Sequence, residues 1–323
     1  MEQFLPHWTQ YDIRVETLCV SGKRALNHLL EALRTSWKYD YVWIQRKVFP
    51  TSVIRLLARR SRIIFDFDDA IYVKQVMLTG TEQPESRLKL GWLAGTLSRS
   101  ALVFAGSTTL QTYAERYSQN VHLVPTALNA PGQQIPERQQ NGTVTIGWIG
   151  VNSNLYFLNM IDKALSELQT KQPGVRFSLM SGKLPQEVET NWELSPWSSE
   201  EEEQWLDQID IGIMPLSDDE WCRGKCAFKL IQYMAYGKPV VAANVGTNKA
   251  AITEGVNGFL VNSEREWIKS LDRLVSDKAL RQRMGVESRR IHMETYERAQ
   301  VQAQIAALIH EDHRTASLPN AAR

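Results

Sequence analysis

Cysteine is scarce in this sequence. Three thiols among 323 residues, Cys19, Cys222 and Cys226, cannot all pair within one chain, and no histidine accompanies them at metal-ligand spacing. A disulfide scaffold is therefore excluded, and reduced thiols in a cytoplasmic setting are expected. An excess of one charge is missing too. The 37 Lys and Arg against 36 Asp and Glu give a formal net charge of +1, without the basic surplus that wholesale nucleic-acid binding requires. No apolar run approaches the roughly 18 residues of a membrane span, so any membrane role is expected to be peripheral. The opening residues, MEQFLPHWTQYD, lack the basic and apolar segments of a signal peptide. Apolar residues, in contrast, make up 43% of the chain, enough for two domains with full cores.

Short β-branched runs alternate with amphipathic segments, the rhythm of an α/β protein with parallel strands. The first half predicts strands at Asp12–Val20, Tyr41–Gln45, Arg62–Asp66, Ala101–Ala105 and Val121–Pro125. Residues 129–142, rich in Pro, Gly and Gln, read as a linker. The pattern then restarts with VTIGWIG (144–150), a helix to about Leu168, VRFSLMS (175–181), a weak strand near Val188–Leu194 and a helix from Ser199. DIGIMPL (210–216), a helix over about Cys226–Tyr236, PVVAAN, GFLV and two terminal helices complete it. Two doubly wound, Rossmann-like domains in series are expected: residues 1–135, a linker at 136–143, residues 144–300, then a crossing helix and frayed tail at 301–323.

The neutral total hides an asymmetry. Residues 1–140 carry 17 basic against 12 acidic residues, and the remainder carries 20 against 24. Part of the excess lies in PTSVIRLLARRSR, where Arg55 and Arg59 flank Val53, Ile54, Leu56 and Leu57. This segment is either a solvated helix face or a contact for an anionic acceptor or a membrane surface.

In DIGIMPLSDDEWCRGKCAFKLIQYMAYGKPVVAANVGTN, a strand is followed by a polar loop and a helix. Ligands of open α/β sheets gather at such carboxyl ends. Helical spacing places Lys225, Lys229 and Gln232 on one face, with Ala227, Phe228, Leu230, Ile231 and Met234 facing the core. Two ammonium groups with Arg223 beside a helix N-terminus suit a diphosphate, although a solvated lysine pair is the plain alternative. Earlier, Gly150, Asn152 and Ser153 follow an apolar strand. Glycine there admits a ligand close to the backbone, and either polar residue can cap the next helix. In the first half, IIFDFDDAIYV places Asp66, Asp68 and Asp69 together at a strand end. Crowded carboxylates repel unless a cation, a hydroxylated ligand or raised pKa values compensate. Ser107 stands at a strand-to-helix turn, where an N-cap is its simplest role.

The run Gln232-Tyr233-Met234-Ala235-Tyr236-Gly237-Lys238-Pro239-Val240-Val241-Ala242, followed by Gly255-Val256-Asn257-Gly258-Phe259-Leu260, resembles the donor-binding region of GT-B glycosyltransferases of the retaining family 4, or group 1, type. The resemblance covers most of residues 144–300. It implies a GT-B fold of two Rossmann-like domains facing across a cleft, with the acceptor on the first and a nucleotide sugar on the second. It also implies sugar transfer to a cytoplasmic or membrane-linked acceptor, in surface polysaccharide or glycolipid assembly, without metal or other cofactor. Of the family's two glutamates eight apart, the earlier position holds Gly224 and the later holds Gln232. An amide oxygen still accepts from a ribose hydroxyl. Glycine cannot hold the donor sugar, which leaves Asp218, Asp219 or Glu220 as substitutes. The Arg and Lys common in the Gly150 loop are missing, which shifts the phosphate load to Arg223, Lys225 and Lys229. Asp68 falls where many members have a histidine near the reacting sugar, with Asp69 as its support.

Two other classes compete. A degenerate transferase acting as a nucleotide-sugar binding or scaffold subunit would also lack the glutamates. Asp66-Phe67-Asp68 further resembles the nucleophile motif of haloacid-dehalogenase-type phosphatases, with Lys183 and Asp218-Asp219 as later motifs, but Ala70 stands where Thr or Val is wanted. A GT-A metal site at Asp66 and Asp68 conflicts with two doubly wound domains. Finally, the sequence begins within the segment resembling x-Q-F-L-P, so either the first domain lacks the usual opening strand and Gly-rich loop, or the start of the chain was assigned too late.

Overall fold

The computed structural model describes residues 2–20, 25–75, 81–132 and 142–317. The chain divides into two units. One takes residues up to Thr126, the segment Asp219–Cys226 and the chain from Arg298 onward; the other takes Ala127–Asp218 and Ala227–Glu297. The backbone thus passes from unit to unit four times, and Ala227, at one passage, holds a left-handed φ of +55°.

Runs that are apolar on both faces suit a parallel sheet covered on both sides. RIIFDF and LVFA are such runs, and they form the middle of the first unit's sheet. Its strands are β1 (Tyr41–Gln45), β2 (Arg62–Phe67), β5 (Leu102–Ala105) and β6 (Val121–Leu123), all parallel in the order β1-β2-β5-β6. Between them lies a short antiparallel pair, β3 (Val73–Lys74) and β4 (Gln83–Pro84). Ile63, Ile64, Phe65, Phe67 and Phe104 are fully buried. Ile54 and Leu57 bury one stripe of the helix Thr51–Ala58, whereas Leu56 is exposed.

The expected strand Asp12–Val20 does not form. Asp12 turns left-handed at φ +54° and residues 13–20 have no regular structure. A strand needs a ladder to satisfy its backbone groups, and among the described residues β1 pairs only with β2. The segment before it, Glu2–Tyr11, is a 3₁₀ helix containing Pro6. The C-terminal helix Arg298–Ser317 belongs to this unit. Its buried Asp312 accepts from Arg62 Nε (2.8 Å), Arg62 Nη2 (2.5 Å) and the Tyr41 hydroxyl (2.7 Å).

The second unit carries β7 (Val144–Ile149), β8 (Val175–Ser181), β9 (Trp192–Pro196), β10 (Ile211–Met214), β11 (Val240–Ala243) and β12 (Gly258–Val261). They form one parallel sheet in the order β12-β11-β10-β7-β8-β9. Strand order reverses between β7 and β10, the switch point where α/β sheets bind ligands. Trp148, Phe177, Leu179, Ile211 and Ile213 fill the core. The helix expected up to Leu168 is broken into a 3₁₀ turn at Asn152–Asn154, a single turn at Tyr156–Asn159 and the helix Asp162–Lys171. Three helices rather than two come after β12: Glu264–Ser276, Lys278–Thr295 and Arg298–Ser317. The last reaches Ser317, so the start of the expected frayed tail is helical; the rest of the tail, and most of the expected linker, lie outside the described residues.

Candidate functional site

In the first unit, β1 and β2 run in register, with Gln45 opposite Asp66, so the turns after the two strands meet at one sheet end. Arg46, at φ +58°, turns there and donates its backbone N–H to the Asp66 carbonyl (2.7 Å). Its guanidinium pairs with Asp68 (Nε to Oδ1, 3.0 Å) and with Asp69. Gln45 Nε2 donates to Asp66 Oδ2 (3.3 Å). Burial raises the Asp66 pKa to about 7, and the Asp68 carboxylate adds to the shift. Asp68 is also raised by burial, against the pull of Arg46. The crowding is thus relieved by a cation and by a carboxyl group that protonates easily. Among the described residues, no three His, Cys, Asp or Glu side chains are grouped to hold a metal ion.

The segment Asp219–Cys226 packs at the same end. Asp219 caps the short helix Glu220–Arg223 by accepting from Cys222 N (2.8 Å), and Glu220 N donates to Glu82 Oε1 (2.7 Å). The Cys226 thiol donates to the Asp68 carbonyl (2.9 Å), and burial pushes its pKa well up. Ser107 is buried and caps its helix by accepting from Leu110 N (3.2 Å), while its hydroxyl reaches the Gly224 carbonyl (3.4 Å). Gly224 lies so close to Ala70 that an added Cβ would stand 2.6 Å from the Ala70 Cβ. Lys225 Nζ lies 3.5 Å from the Trp221 ring centroid, and burial lowers its pKa against the attraction of Asp69.

In the second unit, Gly150 directly follows β7, where a Cβ would meet the Trp148 ring at 2.5 Å and Lys229 Cε at 2.9 Å. Glycine here lets the lysine stem and the indole approach. Lys229 Nζ stands 5.2 Å from the Trp148 ring centroid. Three residues along the helix Phe228–Ala235, Gln232 is buried and donates through Nε2 to Glu202 Oε1 (2.6 Å).

The structure corrects several expectations. Lys225 is not on the helix with Lys229 and Gln232: the left-handed Ala227 starts that helix at Phe228, and Lys225 belongs to the first unit. Phe228 is exposed, whereas Gln232, expected on the polar face, is buried. Asn152 and Ser153 cap no helix. Asn152 Oδ1 instead accepts from Ser181 Oγ (3.2 Å) and Gly182 N (3.1 Å), tying the carboxyl ends of β7 and β8 together. Ser153, Asp218, Glu220, Arg223, Arg55 and Arg59 are exposed. Sequence reasoning missed Arg46, whose signal was a basic residue directly after a strand paired to the acidic one. It also missed Glu202, hidden within an acidic run.

Residues 143–277 match the family model described as Glycosyl transferases group 1. No curated protein matches the chain by sequence. Among solved structures, Anabaena HepE in complex with UDP is similar at a TM-score of 0.69 and 16% identity, over 96% of this chain and 89% of that one. Sucrose-phosphate synthase from Thermosynechococcus elongatus is similar at a TM-score of 0.64 and 14% identity, over 91% of this chain and 79% of its own. A TarM mutant from S. aureus, in complex with UDP, alpha-GlcNAc-glycerol and Fondaparinux, gives 0.62 at 14% identity over 77% of this chain; the chain spans about half, 51%, of its length. Residues 143–277 therefore resemble the group 1 glycosyl transferases, and the chain as a whole shares the GT-B fold of these solved structures.

Proposed function

We propose that this chain moves a sugar from a nucleoside diphosphate donor to a hydroxyl of a saccharide or lipid-linked acceptor, with retention at the anomeric carbon and without a metal ion. The reading rests chiefly on Lys229, whose stem lies against Gly150 and whose ammonium lies over Trp148 at the carboxyl end of β7. HepE and TarM were both solved with UDP, which favours a uridine donor here. As the bond from sugar to phosphate breaks, negative charge grows on the β-phosphate. A cation aimed there stabilises the transition state more than the ground state. Lys229 takes that role, while Gly150 admits the phosphates. The departing phosphate takes the acceptor proton, so the products are the nucleoside diphosphate and the glycosylated acceptor.

In this reading residues 144–300 hold the donor, and residues 1–135 hold the acceptor, with Asp68 facing the reacting sugar and Asp69 supporting it. Arg55 and Arg59 suit an anionic or membrane-associated acceptor, as in surface polysaccharide or glycolipid assembly at the cytoplasmic face of a membrane. No helix among the described residues is long and apolar enough to cross a membrane. Lys229→Ala is expected to cut turnover about 10²-fold, the scale of losing one charge-stabilising donor, with the thermal midpoint unchanged. Transfer near the wild-type rate would refute the assignment. A binding subunit without turnover is the second reading, favoured by the closed packing at Gly224. Donor affinity without transfer to any acceptor would establish it.

A further inference from the structure

Trp197 directly follows β9 and is 58% exposed, an unusual setting for so large an apolar ring. It is nevertheless held in place, because its indole N–H donates to Glu202 Oε2 (2.6 Å). The other carboxylate oxygen, Oε1, accepts from the buried Gln232 amide (2.6 Å). A carboxylate only accepts, so the NH2 of Gln232 must face it. The helix bearing Glu202, Ser199–Gln208, is fixed by its Ser198 cap on Glu201 N (3.2 Å) and by Trp205 Nε1 donating to Ser178 on β8 (2.8 Å).

Each oxygen of Glu202 thus has one donor and a further lone pair free of these two bonds, while Trp197 keeps a ring face in solvent. This combination, a flat apolar face beside a carboxylate with spare acceptor capacity, matches a base joined to a vicinal diol. The same geometry accounts for the amide at position 232. A glutamate there would set two carboxylates at hydrogen-bond distance, and one would have to remain protonated.

We propose that Trp197, Glu202 and Gln232 form the nucleoside subsite, with the base stacked on Trp197 and the ribose 2′- and 3′-hydroxyls donating to Glu202, which Gln232 positions. The proposal deepens the nucleotide-sugar reading and rests on it. Here the acid that reads the ribose sits on the helix after β9, not on the helix after β10.

The test titrates the full chain calorimetrically with UDP and 2′-deoxy-UDP. Wild type should prefer UDP by about 10-fold or more, the scale of hydrogen bonds to a charged group. Glu202→Gln, which keeps a side chain of the same shape, should reduce that preference below about three-fold. Trp197→Ala should weaken both nucleotides equally, by about 10-fold, the scale of one aromatic stack on a base. Circular dichroism checks that both variants are folded. Wild type that binds UDP with no ribose preference, or variants that bind as wild type does, would overturn the subsite and leave the donor reading standing. Wild type that binds neither UDP nor the corresponding GDP and ADP pairs would overturn both.

Discussion

Placing a methyl group on Gly224 tests how tightly the segment Asp219–Cys226 is fitted to its unit. An added Cβ would lie 2.6 Å from the Ala70 Cβ and 3.3 Å from the Ala70 Cα and N. Carbon atoms pack best at about 3.5–4.0 Å, so the overlap is close to 1 Å. Neither side yields easily. Ala70 ends in a methyl fixed to the backbone, and its segment is held through Cys226 on the Asp68 carbonyl and Val73 N on the Ala70 carbonyl (3.0 Å). Overpacking of this kind costs about 1–3 kcal/mol. Gly224 has φ −79° and ψ −7°, which alanine adopts freely, so the smaller unfolded-state entropy returns about 0.4–1 kcal/mol. Gly224→Ala should therefore destabilise the protein by about 0.5–2 kcal/mol in urea titrations followed by tryptophan fluorescence. Ala70→Gly should relieve the clash, giving a coupling energy of about 1 kcal/mol or more in the double variant. A Gly224→Ala protein as stable as wild type, or a cycle without coupling, would refute the packing argument. Gly224→Glu, which restores the family's glutamate, should suffer more and gain no donor affinity.

Burial first, and the Arg289 charge second, lower the His292 pKa to about 4; the folded form thus resists a proton that the unfolded chain accepts below pH about 6.5. Its stability contribution is full above that pH and falls as the pH drops towards 4. Asp66, with its raised pKa, works in the opposite sense over this window, so the comparison must be with His292→Phe. Between pH 7 and 5 wild type should lose about 1–2 kcal/mol more than this variant, and equal losses would refute the argument. Asp312→Ala strands Arg62 and Tyr41, and should cost about 1–3 kcal/mol in the same titration, against about 1 kcal/mol for Tyr41→Phe. Ser107→Ala should lose about 1 kcal/mol of stability as a missing N-cap while leaving donor affinity unchanged; lost affinity would place the hydroxyl in the site instead.

The central parallel strands were legible because runs such as RIIFDF and LVFA are apolar on both faces, which no amphipathic surface helix imitates. Tyr41–Gln45 and Val175–Ser181 form as the pattern predicts. Asp12–Val20 has the right alternation, but alternation specifies a face and not a neighbour, and no ladder receives it. Helix limits were misjudged at Cys226 because one left-handed alanine, invisible to periodicity, delays the start to Phe228. The same delay separates Lys225 from Lys229. Around the site, adjacency in sequence revealed the three aspartates but not the Arg46 that pairs with two of them. Glu202 was harder still. In SSEEEEQW it is one of four glutamates that favour a helix N-terminus, and only the fold singles it out by bringing Gln232 from 30 residues away.

The four passages of the backbone between units bear on how this protein can be cut. A contiguous clone of residues 127–297 would carry Asp219–Cys226 away from Asp68, Ala70 and Ser107, and would expose the otherwise buried Trp221, Cys222 and Cys226 to solvent. A clone ending at Thr126 would in turn leave β1 and β2 without Asp312, and the sheet end without the thiol that closes it. Neither half of the gene is therefore a self-sufficient module. Exchanging the second unit of this chain by a single crossover would have to transplant the eight-residue insert Asp219–Cys226 together with the strand ends that receive it.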